Sequence, residues 1–407
     1  MSKIILHVDF NSFFASVEQQ ANPFLRGKAI AITGKRGLKD MKHSIVATAS
    51  VEAKRLGVKT PMPISEARRI CPELILLHGD MRKYSEITKR LLSALKKNSD
   101  AVEQFSTDEA FADITSTAQD YFGATIVAQI IRNEIAKSCG KHCTVSIGVG
   151  PNKTIAKLAS NSVKPNGLTI VQPQDVKAFL DSQPLGDVCG IGKATEKHLE
   201  NLGISSFGTL RKANKQLLLN EFKTIAGSWL YDIARGISDD HVSEIVEDPK
   251  SIGHSYTFPH DLDSDVEIQT NLLALSDRVA YRLRRDGFSA GSISIFVRYS
   301  DFSANHAQLQ TKEMVQDGLI IYKNAWAMID KIRDTNKSIR LIGVSTSNLT
   351  KSDAPMSLFQ KDKKMQRTLK AHDCIAVKFG QESISRASTM NTSFKERASG
   401  WHYDHEI

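Results

Sequence analysis

Cysteine is scarce in this chain, and its spacing shows no framework: Cys71, Cys139, Cys143, Cys189 and Cys374 make an odd set of five. A fold stapled by disulfides is excluded by that count. Cys139 and Cys143 bracket His142, but no second ligand pair exists elsewhere, as structural zinc sites usually require; no structural metal is assigned, and the thiols are expected to be free. No run of about 18 consecutive apolar residues is present, which excludes an ordinary transmembrane helix. The apolar start at Met1–Phe10 has neither a basic lead-in nor a small-residue cleavage site. No secretory signal is expected, and the protein is expected to be cytoplasmic. Internal repeats and low-complexity tracts are also lacking, so solenoid and disordered classes drop out.

What remains is an ordinary globular composition. The 407 residues are 41% hydrophobic and 24% charged, enough for two to four domains at about 100–200 residues each. The formal net charge of +9 favours polyanionic partners, nucleic acid first, without bearing on the fold.

The order of elements narrows the fold class. Lys3–Val8 is continuously apolar and ends at Asp9, the pattern of a strand buried on both faces. Phe13–Gln20 has helical spacing, and Ala29–Thr33 and Thr144–Val149 read as strands. Ile87, Leu91, Leu92 and Leu95 predict an amphipathic helix over 84–97, and Ala124–Ile135 predicts another. Short β-like runs flank Asp108-Glu109. Strands and helices alternating to about residue 165 argue for one α/β or α+β domain. From about 174 to 236 the pattern is helical and broken by glycines, and Asp248–Ser251 reads as a linker. Helix Ile268–Arg284 and strands Ser292–Tyr299 and Leu341–Val344 suggest a further α+β module; from Ser352 the chain is polar and charged.

Carboxylates at strand ends are the residues that point to chemistry. Asp9 closes a buried strand, and Asp108-Glu109 lies between two others. Three such groups meeting would form a hard, oxygen-rich site for Mg²⁺, and two ions about 3.5–4 Å apart suit an in-line phosphoryl displacement. Adjacent strand residues point to opposite faces, so Asp108 and Glu109 can both serve only where the strand bends. An acidic pair by itself more often marks a solvated turn.

The surrounding segments carry more information. HVDFNSFFASVEQ (7–19), ATASVEAKRLGV (47–58), FSTDEAFADIT (105–115), VSIGVGPNKTIAKLAS (145–160), KPNG (164–167), VCGIGKATEKHLENLG (188–203) and KSIGHSYTF (250–258) resemble, in order, the motifs of Y-family DNA polymerases, the lesion-tolerant class. The resemblance spans nearly the whole chain. It implies an α+β right hand: a ferredoxin-like palm (1–10 and 77–166), small fingers (11–76), a helical thumb with a helix-hairpin-helix (167–243) and an α/β little finger (244–350), with residues 351–407 as a tail.

The same resemblance implies Asp9, Asp108 and Glu109 as catalytic metal ligands, joined by the Phe10 carbonyl, with two Mg²⁺ ions as cofactors and Mn²⁺ as a substitute. It places Phe14, beside Phe13, at the steric gate that would exclude a ribose 2′-hydroxyl; either ring could equally be a core aromatic. Thr48, Lys54 and Lys164 would hold the triphosphate of a dNTP, whose spreading charge needs fixed cations. Here the chain departs from the family's Tyr-x-x-Arg, with Val51 and Lys54 in those positions. Val51 donates no hydrogen bond and Lys54 lacks the bidentate fork of Arg, so a raised KM for dNTP is expected.

Gly190-Ile191-Gly192 reads as a hairpin whose backbone faces a DNA phosphate, with Lys193 and Lys197 adding charge; a hairpin that only packs two helices is the alternative. Arg278, Arg282, Arg284, Arg285, Arg298, Arg333 and Arg340 give the little finger a basic tally, of which about half are expected to solvate helix surfaces. Met356-Ser357-Leu358-Phe359 resembles a bacterial sliding-clamp peptide with Pro355 replacing its Gln, or else docks on the parent chain. The resulting expectation is a monomeric, low-fidelity, template-directed polymerase acting on primer-template DNA and dNTP. A catalytically inactive DNA-binding scaffold, and a nuclease or glycosylase using the hairpin, are the rivals.

Overall fold

The computed structural model describes residues 3–34, 44–238, 241–351, 360–381, 383–390 and 392. They form two compact units, one up to Val246 and one from Glu247 onward. Among the described residues no helix is long and apolar enough to cross a membrane.

The first unit contains strands β1 (Ile5–Phe10), β2 (Ile30–Thr33), β3 (Thr48–Ala49), β4 (Ile75–His78), β5 (Ala101–Gln104), β6 (Glu109–Asp113), β7 (Val145–Gly150) and β8 (Leu168–Ile170). Five of them make a sheet in the order β5-β6-β1-β7-β8, in which β1 is antiparallel to both neighbours. The continuous apolar run of β1 follows from its central place, since both of its faces are covered. Leu6, Val8 and Phe10 pack with Leu91, Leu95, Ile131 and Ile135 of helices Met81–Lys96 and Tyr121–Cys139. On the other face Ile5 and Phe111 meet Ala156 of helix Lys153–Ser162.

That last helix lies very close to the sheet. A Cβ on Gly148 would fall 2.0 Å from the Ala156 carbonyl oxygen and 2.3 Å from the Ser160 nitrogen, so only glycine lets the helix backbone settle there. Gly148 is the cross-strand partner of His7.

A second, three-stranded sheet runs β3-β2-β4. Ala15 of helix Phe13–Ala21 packs with Ile30 and Ile32, while Ala53 of helix Val51–Arg55 and Ile64 of helix Ile64–Ile70 share a core with Ala31 and Ala49. The expected helical stretch follows, with helices Val176–Asp181, Lys193–Asn201, Phe207–Lys212 and Lys215–Ile233 around Leu199, Phe207, Leu218 and Leu230.

In the second unit β9 (Ser251–Leu262), β10 (Phe288–Tyr299), β11 (Ala304–Val315) and β12 (Ile339–Lys351) form an antiparallel sheet in the order β11-β10-β12-β9. Helices Asp265–Arg285 and Gly318–Ile332 bury Leu272, Val279, Ile321 and Ile329 against Ile293, Ile295, Ile342 and Val344. Register puts Gly253, Ser255, Ser294, Gly343 and Ser345 on the opposite face, together with Phe296 and Arg298. The polar stretch beyond Ser352 is not structureless: helix Gln360–Phe379 forms, and two bidentate pairs join the tail to helix Asp265–Arg285. Arg284 donates to both Asp373 oxygens at 2.6 and 2.7 Å, and Arg386 donates to both Asp277 oxygens at 2.8 and 3.3 Å.

Candidate active site

The end of β1 is where the expected residues gather. Ser12 takes a left-handed conformation (φ 52°) and turns the chain directly from the strand into helix Phe13–Ala21. Asn11 fixes this corner: its Nδ2 donates to Thr144 Oγ1 at 3.1 Å and its Oδ1 accepts from Ser146 Oγ at 2.9 Å. Asp9 and Phe10 thus sit at a rigid strand mouth, and the Phe10 N–H donates to the Asp108 carbonyl at 3.0 Å.

Asp108 lies just before β6, in the turn that joins it to β5, and so escapes the strand's alternation. Ser106 shapes that turn by donating its hydroxyl to Asp108 Oδ1 at 2.6 Å. Burial raises the Asp108 carboxyl above its usual range, the neighbouring Asp9 and Glu109 charges push it the same way, and the Ser106 hydrogen bond opposes them.

A cavity of about 700 Å³ opens here. Among its walls are Asp9, Phe10, Phe13, Thr48, Lys54, Asp108 and Lys164, residues from four separate stretches of chain that the sequence had singled out. Val51 lines it too, as do Arg55 and Thr60, which sequence reasoning missed. Arg55 was legible from its spacing, because it follows Val51 by four residues on one helix face. Lys164 Nζ donates to Asp9 Oδ2 at 2.8 Å. Lys54 is held below its ordinary value, first by partial burial and then by the Lys164 charge.

Two expected residues stand apart from that wall. Glu109 is paired across the sheet with Asp9 but does not line the cavity. Its Oε2 instead meets the Lys157 ammonium in a close ion pair and lies 3.1 Å from His7 Nε2. Burial alone would raise this carboxyl; the His7 contact and the Lys157 charge outweigh it and hold it at about 2. Among the described residues, therefore, no three acidic or imidazole groups converge on a point as they stand. Phe14 is the other. Its ring stacks on Tyr84, centroids 4.2 Å apart, and Tyr84 in turn donates to Glu18 Oε1 at 2.9 Å while Lys83 holds Glu18 Oε2 at 2.8 Å. Phe13 is buried and stacks on Phe10 at 4.9 Å.

The donor set nonetheless fits hard divalent cations. Two carboxylates share one cavity beside the Phe10 backbone, a third is their cross-strand neighbour, and two of the three carboxylates carry a lysine ammonium. Oxygen donors in that number suit Mg²⁺.

In the helical region Gly190 (φ 109°) faces the Trp229 ring, where a Cβ would lie 2.8 Å away, so the hairpin requires glycine. Gly192 precedes helix Lys193–Asn201, and Gly192, Lys193 and Lys197 are all exposed. Four of the arginines tallied in the second unit make contacts within it. Arg284, Arg333 and Arg340 are engaged by Asp373, Asp265 and Asp261 of the same unit, and Arg282 donates to the Gly253 carbonyl. Met356–Phe359 lies outside the described residues.

Comparison with known proteins gives matches over most of the chain. The model of the impB/mucB/samB family matches residues 8–161, that of the family's C-terminal domain matches 249–358, and that of its helix-hairpin-helix motif matches 173–204. DNA polymerase IV of Listeria monocytogenes is 36% identical over 349 residues, covering 86% of this chain and 96% of the relative. DNA polymerase IV of Staphylococcus aureus is 35% identical over the same length. A solved Y-family DNA polymerase chimera superposes with a TM-score of 0.76 at 27% identity, covering 86% of this chain and all of that one.

The chain belongs to the Y family of DNA polymerases. As a Y-family polymerase it has the multidomain α+β architecture of the class and is a DNA-directed DNA polymerase of the translesion type, dependent on divalent metal and acting on primer-template DNA and dNTP.

Proposed function

We propose that this Y-family polymerase works by two-metal nucleotidyl transfer, with Asp9, Asp108, Glu109 and the Phe10 carbonyl holding two Mg²⁺ ions that Mn²⁺ can replace. When bound, such ions supply activation of the attacking 3′-hydroxyl and stabilisation of the departing pyrophosphate. Lys164, Lys54 and Thr48 hold the triphosphate; Lys164, now on Asp9, has a second anion to serve once nucleotide enters. Phe14, braced by Tyr84 and flanked by Phe13, acts as the steric gate. Gly190, Gly192, Lys193 and Lys197 grip a DNA phosphate without reading sequence, which a template-directed enzyme requires.

Residues 1–10 and 77–166 are assigned to the palm, 11–76 to the fingers, 167–243 to the thumb, 244–350 to the little finger and 351–407 to the tail. Within that tail, Met356–Phe359 is assigned as a sliding-clamp contact, and the enzyme is assigned as a cytoplasmic monomer. The observation that carries the reading is one cavity that brings Asp9 and Asp108 together with Lys54 and Lys164 from distant parts of the chain. Primer extension with Mg²⁺ on normal and damaged templates tests it. Wild type extends and Asp108→Ala does not; extension that persists in the variant overturns the mechanism. An inactive scaffold gives no extension at all, and a nuclease cleaves the strand without dNTP.

A further inference from the structure

Glu109 is the one proposed metal ligand that does not line the cavity, and what holds it is specific. Its Oε2 receives the Lys157 ammonium and lies 3.1 Å from His7 Nε2. The Lys157 ammonium also sits over the Phe105 ring, 4.5 Å from its centroid. The Lys157 and Glu109 side chains are only 14% and 13% exposed and that of His7 is fully buried, so water screens the pair poorly. Ser160, one turn beyond Lys157 on the same helix, anchors His7 by a 2.7 Å contact with Nδ1. One helix face therefore supplies both the cation that holds Glu109 and the brace behind the imidazole.

We propose that Lys157 is a positioning residue that stands in for a divalent cation at Glu109, keeping the carboxylate out of the cavity until ions bind and draw it away. The inference rests on the reading of Glu109 as a metal ligand. Its logic is competition for one oxygen: Oε2 cannot keep its close ammonium and also give full charge to an ion shared with Asp9 and Asp108. Without a cation, the three like-charged carboxylates near this strand mouth repel one another. Lys157 relieves that repulsion in the metal-free enzyme and thereby weakens the first binding of metal. After the exchange its ammonium keeps a partner in the Phe105 ring.

The test is Mn²⁺ binding to the full chain without DNA or nucleotide, followed by the EPR signal of the free ion. Lys157→Met keeps an unbranched stem beside Phe105 and removes only the charge; Lys157→Gln is the second variant should the first fail to fold. Either should bind Mn²⁺ about tenfold more tightly than wild type, a change of about 1.4 kcal/mol. Lys157→Arg, which keeps the cation, should stay close to wild type. In a Glu109→Gln background, adding Lys157→Met should change nothing, because the competed oxygen's charge is gone. Equal tightening in both backgrounds would reduce the effect to the general field of a lost positive charge and overturn the proposal. So would unchanged or weaker binding in Lys157→Met with wild-type melting. If Asp9→Asn and Asp108→Asn leave Mn²⁺ binding intact, the ligand reading itself fails, and the exchange with it.

Discussion

Val51 and Lys54 sit where the sequence resemblance implies Tyr and Arg, and the structure makes the consequence calculable. Both lie on helix Val51–Arg55 and line the cavity that contains Asp9, Asp108 and Lys164. The helix is well fixed: Ser50 Oγ accepts from the Ala53 N–H at 3.3 Å, and Ala53 is buried. Side chains can therefore be exchanged on a backbone that stays in place. A tyrosine at 51 adds one hydroxyl donor facing phosphate, and a hydrogen bond to a charged group contributes about 1.5–3 kcal/mol. Ordering the ring and displacing water leave about 1–2 kcal/mol of that, a factor of about 5–30. Arginine at 54 adds a bidentate fork that the lysine ammonium lacks. The Val51→Tyr, Lys54→Arg enzyme should thus show a dNTP KM lower by about 5–30-fold in single-nucleotide primer extension, with kcat little changed. An unchanged KM in a variant that melts like wild type would show that this helix does not face the nucleotide.

Tyr84→Phe removes the 2.9 Å hydrogen bond to Glu18, which is only 9% exposed, and should cost about 1.5–3 kcal/mol in a denaturant melt while leaving the stack on Phe14 intact. Tyr84→Leu removes the stack as well and should lower discrimination against ribonucleotides, measured as the ratio of kcat/KM for dNTP and rNTP; an unaltered ratio would detach Phe14 from its brace. Gly148→Ala forces a methyl to within 2.0 Å of the Ala156 carbonyl and should cost about 1–3 kcal/mol or more, read from the urea midpoint; a neutral outcome would mean the helix is free to lift. In the tail, Asp373→Ala should destabilise the second unit by about 1.5–3 kcal/mol, because Arg284 is only 12% exposed. Arg386→Ala, at a pair about one-third exposed on each side, should cost under about 1 kcal/mol, and the reverse order would refute the burial argument.

How much of this was legible beforehand depended on whether the signal was local. The apolar run ending at Asp9 announced a central strand because burial on both faces leaves no room for alternation, and Ile5–Phe10 is that strand. The amphipathic spacing of Ile87, Leu91 and Leu95 likewise marked helix Met81–Lys96. The direction of Glu109 was not legible, since it is set by Lys157, 48 residues away, across a helix–sheet contact. β11 escaped notice because, as an edge strand, it buries little, and an exposed edge leaves no apolar rhythm to read. The tail helix was obscured for a related reason: what ties it down is a set of ion pairs with helix Asp265–Arg285, and charges look the same in solvent as in a clasp.

Gly148 does not line the cavity, yet it governs how deeply a helix seats on the sheet. A lysine has a fixed length, so a helix raised by the width of a methyl group would leave the Lys157 ammonium and the Ser160 hydroxyl short of Glu109 and His7. The charge balance of the strand mouth is then adjusted from behind, through packing depth. Evolution or an engineer wishing to retune metal uptake can do so by a single hydrogen atom on the far side of the sheet's central strand, without altering any group that meets substrate.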